Sequence, residues 1–303
     1  MTTGAEQPSA PVNAALAKLI ATLTLEPLEE NLFRGPRGSE GWQRVYGGQV
    51  LGQALSAAAL TVEPDRSIHS LHGYFLLAGD PERDIIYDVE RLRDGGSFTT
   101  RRVRAIQHGR AIFAMSASFH KSEEGYEHQT LAPQVPPPEA LPSARDLMAG
   151  MMANLPENMR AYWSREHPID IRIVDASRYA SREPRPPRQS IWLKANGRLS
   201  DEARLHQATL AYASDFTLLD TSLIAHGKLL FDSDIQLASL DHAMWFHRPF
   251  RVDDWLLYVQ DSPSASGARG YCRGEIFDRS GRLVASAVQE GLMRRRATAF
   301  MVK

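Results

Sequence analysis

Several features are scarce in this chain of 303 residues, and each absence excludes a class of protein. The single cysteine, Cys272, excludes an internal disulfide and a metal site built from cysteine alone. No apolar run reaches the ~18 residues that span a bilayer, so we expect no membrane partner. The net charge of −1 gives no reason to expect nucleic acid as a partner. With no signal-peptide pattern at the start, the expected location is cytoplasmic.

The motifs of several common enzyme classes are also missing. There is no HExxH, P-loop or GxGxxG motif. The segment GGSF (95–98) lacks the closing glycine of a serine-hydrolase elbow. His242 and His247 are five residues apart on a predicted strand, so they point to opposite faces and form a poor metal pair. None of these segments therefore supports a serine-elbow hydrolase, a nucleotide-binding loop or a metal pair.

The first half of the chain reads as helices followed by an antiparallel meander. Asn13 is placed to cap an amphipathic helix, and Glu30–Gly41 is typical of a short strand and a turn. Residues Val45–Val62 form a second helical stretch, rich in small residues and uncharged between Tyr46 and Thr61, which indicates a helix buried inside a curved sheet. Strand-like runs follow at Ile68–Leu77, Ile85–Leu92, Ser97–Gln107 and Arg110–His120.

A proline-rich stretch separates the two halves. More than half of the eighteen prolines lie between Pro133 and Pro187, which predicts a linker over residues 122–167. Within it, Ser143–Arg165 shows helical spacing interrupted at Pro156. Alternation of apolar and charged residues over Ile169–Val174 predicts the first strand of the next domain.

The second half repeats the order of the first. A strand at Ser190–Ala195 and a helix over Asp201–Leu219, capped by Asp201 or Ser200, precede four predicted strands. These strands are Ile235–Phe246, Trp255–Gln260, Arg269–Phe277 and Arg282–Met293. A helix wrapped by an antiparallel sheet, present twice, predicts the α+β double hotdog fold, with domains at 13–121 and 168–298.

One carboxylate in the second predicted helix is out of place. Asp215 follows Ala208 and Ala211 on the face beside the apolar stripe, where an uncompensated charge costs several kcal/mol. It could cap a following turn, pair with a nearby cation or act as a catalytic group. Its counterpart in the first repeat lies near Ala57 and Ala58, where nothing can titrate.

Other polar residues are concentrated in the same repeat. Gln289 falls opposite Ala117 when the repeats are aligned and shares a strand face with small apolar residues. Ser239 begins the first strand after the helix. Both could simply satisfy local backbone groups, but with Asp215 they suggest one working site per chain, for which the first repeat is a scaffold.

The chain resembles the acyl-CoA thioesterase II family over nearly its whole length. The resemblance is carried by VYGGQVLGQAL (45–55), LHQATLAYASDF (205–216), LDHAMWFHRPF (240–250) and VASAVQEGLMR (284–294), among other segments. It implies a double hotdog fold and hydrolysis of acyl-CoA to free acid and CoA without a cofactor. It also implies catalytic roles for Asp215, Ser239 and Gln289.

These residue types suit thioester hydrolysis. Asp215, with its pKa raised by burial, would accept a proton from water, and Gln289 and Ser239 would hold that water in line. A variant in which Asp215 attacks directly and forms an anhydride stays open. A hydratase or dehydratase, or a protein that only binds acyl-CoA, is the alternative function.

Substrate contacts and assembly are the remaining expectations. Gly47 and Gly48 could admit the thioester to a helix N-terminus or could serve helix–sheet packing. Arg101 and Arg102 could meet the phosphates of CoA or could lie on a solvated strand face. Exposed sheet faces and edges favour a homodimer or homotetramer.

Overall fold

The computed structural model describes residues 13–38, 44–149, 160, 164–230 and 232–296 of the chain. The predicted loose tail at residues 1–12 lies outside these ranges. None of the helices in the described ranges is long and apolar enough to cross a membrane.

The described part of the first half contains the two predicted helices and six strands, one strand more than predicted, because Glu26–Glu29 also forms a strand. Asn13 caps the first helix, since its Oδ1 accepts the N–H of Leu16 at 2.7 Å. The second helix is buried along most of its length because small side chains cover it on every side. The elements are α1 (Ala14–Leu23), β1 (Glu26–Glu29), β2 (Leu32–Gly35), α2 (Gly47–Leu60), β3 (Arg66–Phe75), β4 (Ile85–Asp94), β5 (Phe98–Gln107) and β6 (Arg110–Lys121).

The segment between the halves is partly structured. It contains a short 3₁₀ helix at Pro138–Ala140 and the helix α3 at Ala144–Ala149. The carbonyl of Pro136 accepts a hydrogen bond from the indole of Trp192 at 2.9 Å, so this segment packs against the second half. Most of the rest of the predicted helical stretch, residues 150–159 and 161–163, lies outside the described residues. The domain limits at 121 and 168 stay predictions.

The second half repeats the helix and the meander, with several differences from prediction. The predicted helix ends at Ser214 and a 3₁₀ helix follows at Leu219–His226. The predicted first strand of the meander is broken at Leu240. The elements are β7 (Ile169–Ile173), α4 (Ser177–Ala180), β8 (Arg188–Ala195), α5 (Ala203–Ser214), β9 (Ile235–Ser239), β10 (Asp241–Phe246), β11 (Leu256–Ser266), β12 (Arg269–Asp278) and β13 (Leu283–Arg295).

The predicted cap of α5 is wrong. Glu202 occupies the N-cap position and makes no side-chain cap hydrogen bond. Asp201 instead pairs with Arg251, and the carbonyl of Ser200 meets the ring of His206 at 3.0 Å. The start of α5 is therefore fixed by contacts with the segment before β11 and not by a local capping side chain.

All strands belong to one continuous antiparallel sheet. Its order is β1-β2-β4-β5-β6-β3-β10-β13-β12-β11-β8-β7, and β9 pairs with β13 beside this path. The halves join where β3 pairs with β10, with Leu71 opposite Met244. Each half thus wraps one long helix, as predicted, and a single apolar core runs through both.

The helices α2 and α5 lie against each other in opposite directions. A Cβ on Gly48 would come within 2.3 Å of the carbonyl oxygen of Tyr212, and a Cβ on Gly52 within 3.0 Å of that of Ala208. Glycine is therefore required on α2 for this close approach. As a result, the N-terminus of α2 lies beside the C-terminus of α5.

Candidate active site

Asp215 lies where the two helices meet. It is the residue after the last turn of α5, and its side chain is only 6% exposed. Burial raises the pKa of this carboxyl to about 6, although hydrogen bonds from Gln289, the backbone of Gly48 and Ser239 act in the opposite direction. The group is therefore largely ionised at neutral pH and protonated in mild acid, which is the range useful to a general base.

Gln289 connects the polar groups of the site. It lies on β13 and is fully buried. Its Nε2 donates to Asp215 Oδ1 at 2.7 Å and to Ser239 Oγ at 2.9 Å, so both amide hydrogens are used. Three residues that are far apart in sequence, on α5, β9 and β13, therefore form one hydrogen-bonded cluster.

A bulge between β9 and β10 shapes this cluster. Ser239 pairs with Gly291, and Ala243 pairs with Val288. The chain therefore advances four residues along β9 and β10 while β13 advances three. The extra residue is accommodated because the N–H of Glu290 bonds to the side chain of Asp241 at 2.6 Å. Bulges of this kind redirect side chains.

The bulge places His242 beside Asp215, which the sequence did not predict. A regular strand would turn Ser239 and His242 to opposite faces, because they are an odd number of residues apart. With the extra residue both face inward: Ser239 meets Gln289, and His242 Nδ1 lies 3.9 Å from Asp215 Oδ1. The sequence gives little indication of this bulge, because a bulge is defined by how the strand pairs with its neighbour and not by its own residue pattern.

Gly47 and Gly48 also lie at the site. A Cβ on Gly47 would come within 2.7 Å of Asp215 Oδ2 and 3.1 Å of the ring of Phe75. The backbone of Gly48 donates to the carboxylate of Asp215. The glycines permit close packing of α2 on α5, and Gly47 also permits close packing of α2 on Phe75 at the end of β3. They also place the positive end of the α2 dipole at the carboxylate.

The arginines predicted to contact substrate lie elsewhere. Arg101 is 1% exposed, and its guanidinium bonds to the hydroxyl and carbonyl of Thr61 and to Asp94. Thr61 follows the last residue of α2, and a helix of 14 residues is roughly 20 Å long, so Arg101 is at the far end from Asp215. We do not retain it as a substrate contact.

Arg102 lies on an exposed strand face. Its guanidinium is paired with Glu90, and it shares a surface pocket with Arg104, which is paired with Asp88. Both guanidinium charges in this pocket are already balanced by carboxylates, so Arg102 is not retained either.

No group of three or more His, Cys, Asp or Glu side chains that could hold a metal ion comes together within the described ranges. His242 is buried and meets Ser214, whereas His247 is exposed and meets Ser286 Oγ at 2.9 Å. As predicted, these two histidines do not share a face. The groups that meet at Asp215 are a carboxylate, an amide, a hydroxyl and a neutral imidazole.

Comparison with known proteins identifies the family to which this fold and cluster belong. Residues 167–292 match the family model described as acyl-CoA thioesterase, and residues 36–120 match that of the acyl-CoA thioesterase N-terminal domain. The acyl-CoA thioesterase 2 of Haemophilus influenzae is 39% identical over 279 residues, covering 92% of this chain and 98% of that protein.

Solved structures agree. The crystal structure of the acyl-CoA thioesterase II TesB2 from Mycobacterium marinum superposes with a TM-score of 0.76 at 43% identity, covering 92% of this chain and 99% of that one. A hot dog fold protein of unknown function from Alicyclobacillus acidocaldarius, 18% identical with a TM-score of 0.74 and covering 92% and 99% of the two chains, shares the fold. The predicted double hotdog is confirmed, and this chain belongs to the acyl-CoA thioesterase family.

Proposed function

We propose that this chain carries out the acyl-CoA hydrolysis of its family at the cluster of Asp215, Gln289 and Ser239. The observation that supports this site best is the buried carboxylate with a pKa of about 6, tied through one amide to a hydroxyl. A raised pKa and a specific set of hydrogen-bond partners are typical of catalytic carboxylates.

The first step is attack of water on the thioester carbonyl. Asp215 accepts one proton from the water while the oxygen forms a bond to the carbonyl carbon. Gln289 donates to Oδ1 and so fixes the carboxylate, while Oδ2 faces Gly47 on the first half of the chain. The acyl group would enter between the two halves at this point.

Gln289 and Ser239 orient the reacting groups. Both amide hydrogens of Gln289 are engaged, so Ser239 Oγ accepts one of them and keeps its own proton for donation. That proton is directed to the carboxylate in the free enzyme. During the reaction it can be donated to the water or to the carbonyl oxygen, on which negative charge develops.

The second step is loss of CoA. The tetrahedral intermediate collapses, the carbon–sulfur bond breaks and the sulfur leaves with the electron pair. The proton held by Asp215 then passes to the thiolate. This transfer is downhill, since an ordinary thiol has a pKa of about 8.5 and the carboxyl a pKa of about 6.

Thiol release from a panel of acyl-CoAs tests the proposed site with Asp215→Asn. Asparagine keeps the shape but can be neither base nor nucleophile, so kcat should fall by about 10²-fold or more. Asp261→Asn is the matched control. It removes a half-buried carboxylate that is paired with Arg273 and is not part of the cluster, and activity should be unchanged.

Each result has a clear meaning. An unaffected Asp215→Asn enzyme would place the chemistry elsewhere, and a wild type that releases no thiol from any chain length would favour a binding protein. Single turnover in ¹⁸O-labelled water separates the two mechanisms. Label in the aspartate favours the anhydride, and its absence favours direct attack by water.

Assembly and location complete the proposal. Tyr74, Leu76 and Leu77 are large exposed apolar residues at and just after the end of β3, which supports a homodimer or homotetramer. A cytoplasmic location stays a prediction from the sequence. Light scattering that found only a 33.8 kDa species would contradict the assembly.

A further inference from the structure

The buried imidazole of His242 has one nitrogen with a clear partner and one without. Nε2 lies 2.9 Å from Ser214 Oγ. Nδ1 is buried and has no hydrogen-bond partner in the part of the chain that the structure describes, although it lies 3.9 Å from Asp215 Oδ1. A buried polar atom without a partner is costly, so its position beside the proposed base calls for a physical reason.

The surroundings of Ser214 favour one tautomer of His242. The hydroxyl lies 2.9 Å from the carbonyl of Ala211 and 3.3 Å from the sulfur of Met244, and both of these only accept. We assign the hydroxyl proton to the carbonyl of Ala211. In this arrangement the Ser214 oxygen accepts from His242, and the imidazole proton lies on Nε2.

Nδ1 is therefore a lone-pair acceptor facing a carboxylate. Burial lowers the pKa of His242 to about 3, so the ring stays neutral. The other titratable groups close by are Tyr258, whose hydroxyl bonds to the carbonyl of Ser214, and Arg44, whose charge acts on Asp215. Neither donates to Nδ1.

Two acceptors 3.9 Å apart match the two hydrogens of one water. A water oxygen about 2.8 Å from each acceptor would see them separated by an angle of about 90°, close to the angle between its own O–H bonds. Such a water would have both hydrogens engaged and a lone pair left to attack.

We propose that His242 is a water-positioning residue, whose Nδ1 accepts one hydrogen of the attacking water while Asp215 accepts the other. The inference rests on the proposed function, since it requires Asp215 to be the base. Atoms balance as before: the proton given to Asp215 leaves the water, and the proton facing His242 stays with the oxygen that joins the acyl carbon.

Two substitutions separate positioning from structure. His242→Gln places an amide near Nε2, so it can keep the Ser214 contact but loses the acceptor at Asp215. His242→Asn places an amide oxygen near Nδ1 and loses Ser214. We expect kcat to fall about 10- to 100-fold in the glutamine variant, with KM nearly unchanged. The fold-loss of kcat in the asparagine variant should be roughly ten times smaller. If the histidine were purely structural, the asparagine variant, which loses the Ser214 contact, would show the larger loss of kcat.

The pH profile gives a second readout. In the wild type, kcat/KM should fall below an inflection near the pKa of Asp215, about 6. Removing a lone pair that faces the carboxylate should leave that inflection in place or lower it in His242→Gln. An upward shift would overturn the proposal, because it would mean that Nδ1 carries a proton that stabilises the charge.

Ser214→Ala keeps the proposal testable if the histidine variants do not fold. The change is small, and it removes the acceptor that orients the ring, so kcat should fall several-fold with KM unchanged. An unchanged kcat would overturn the proposal. An Asp215→Asn enzyme of full activity would instead remove the proposed function itself, so the two failures can be told apart.

Discussion

Asp215 shows how a single residue can serve activity at the expense of stability. Its pKa is higher in the folded chain than the ordinary value of 3.8, so folding favours the protonated form. The stability that this gives is complete below pH 3.8 and is lost as the pH rises through about 6. At neutral pH the folded protein therefore carries a destabilising carboxylate.

Asp215→Asn should accordingly be more stable than the wild type above pH 6. A shift of about two pK units corresponds to a gain of about 3 kcal/mol in the free energy of unfolding. The loss of one hydrogen bond offsets about 1 kcal/mol of this gain, because an amide nitrogen cannot accept from the N–H of Gly48. The gain should narrow as the pH falls from 6 towards 3.8. Denaturant unfolding at pH 5, 6 and 8 measures it, with Asp261→Asn as the control. A gain of equal size at every pH would contradict the assigned pKa.

Much of the polar cluster could be predicted at this scale. Comparison of the two repeats showed alanine where Asp215 stands and identified Gln289 as a polar group among apolar neighbours. His242 could not be predicted, because the period of a regular strand assigns it to the wrong face. The burial of Arg101 was not predictable either. A charge run indicates exposure, but the hydroxyl and carbonyl of Thr61 after α2 offer this guanidinium two buried acceptors.

At the scale of elements, the approach of α2 to α5 depends on glycine. Gly47→Ala should lower kcat by tenfold or more, because the new methyl would come within 2.7 Å of Asp215 Oδ2. Helix propensity alone would make this change favourable by about 1 kcal/mol, so a loss of activity in a stable protein identifies the clash.

Gly96→Ala is the matched control for this experiment. Nothing lies within 4 Å of the position of its Cβ, and activity should not change. A fully active Gly47→Ala enzyme would show that Asp215 can move aside without loss, and that the close contact has no role in catalysis.

Element boundaries were predictable where one periodicity applied. Burial alternates along much of strands β3 to β6, because one face of each is buried there. The predicted limits of these strands differ from the observed ones by at most two residues. The end of α5 and the break at Leu240 were not predictable. Both depend on contacts with β13, the first through Asp215 and Gln289, the second through Asp241 and Glu290.

At the scale of the whole molecule, the β3–β10 pairing makes the two halves one folding unit. The sheet continues across it, and the core runs through both halves. We expect a single cooperative transition in scanning calorimetry, with the calorimetric and van't Hoff enthalpies equal per cooperative unit. Two separate transitions would show that each half unfolds on its own.

The meeting of α2 and α5 also bears on how this gene can change. Asp215 is encoded in one repeat and the glycines that receive it in the other, so neither repeat carries the complete site. A chimera that joins the first repeat of one relative to the second repeat of another would need small residues at positions 47 and 48 to keep the helices at this distance. The two repeats must therefore be inherited together for the site to stay complete.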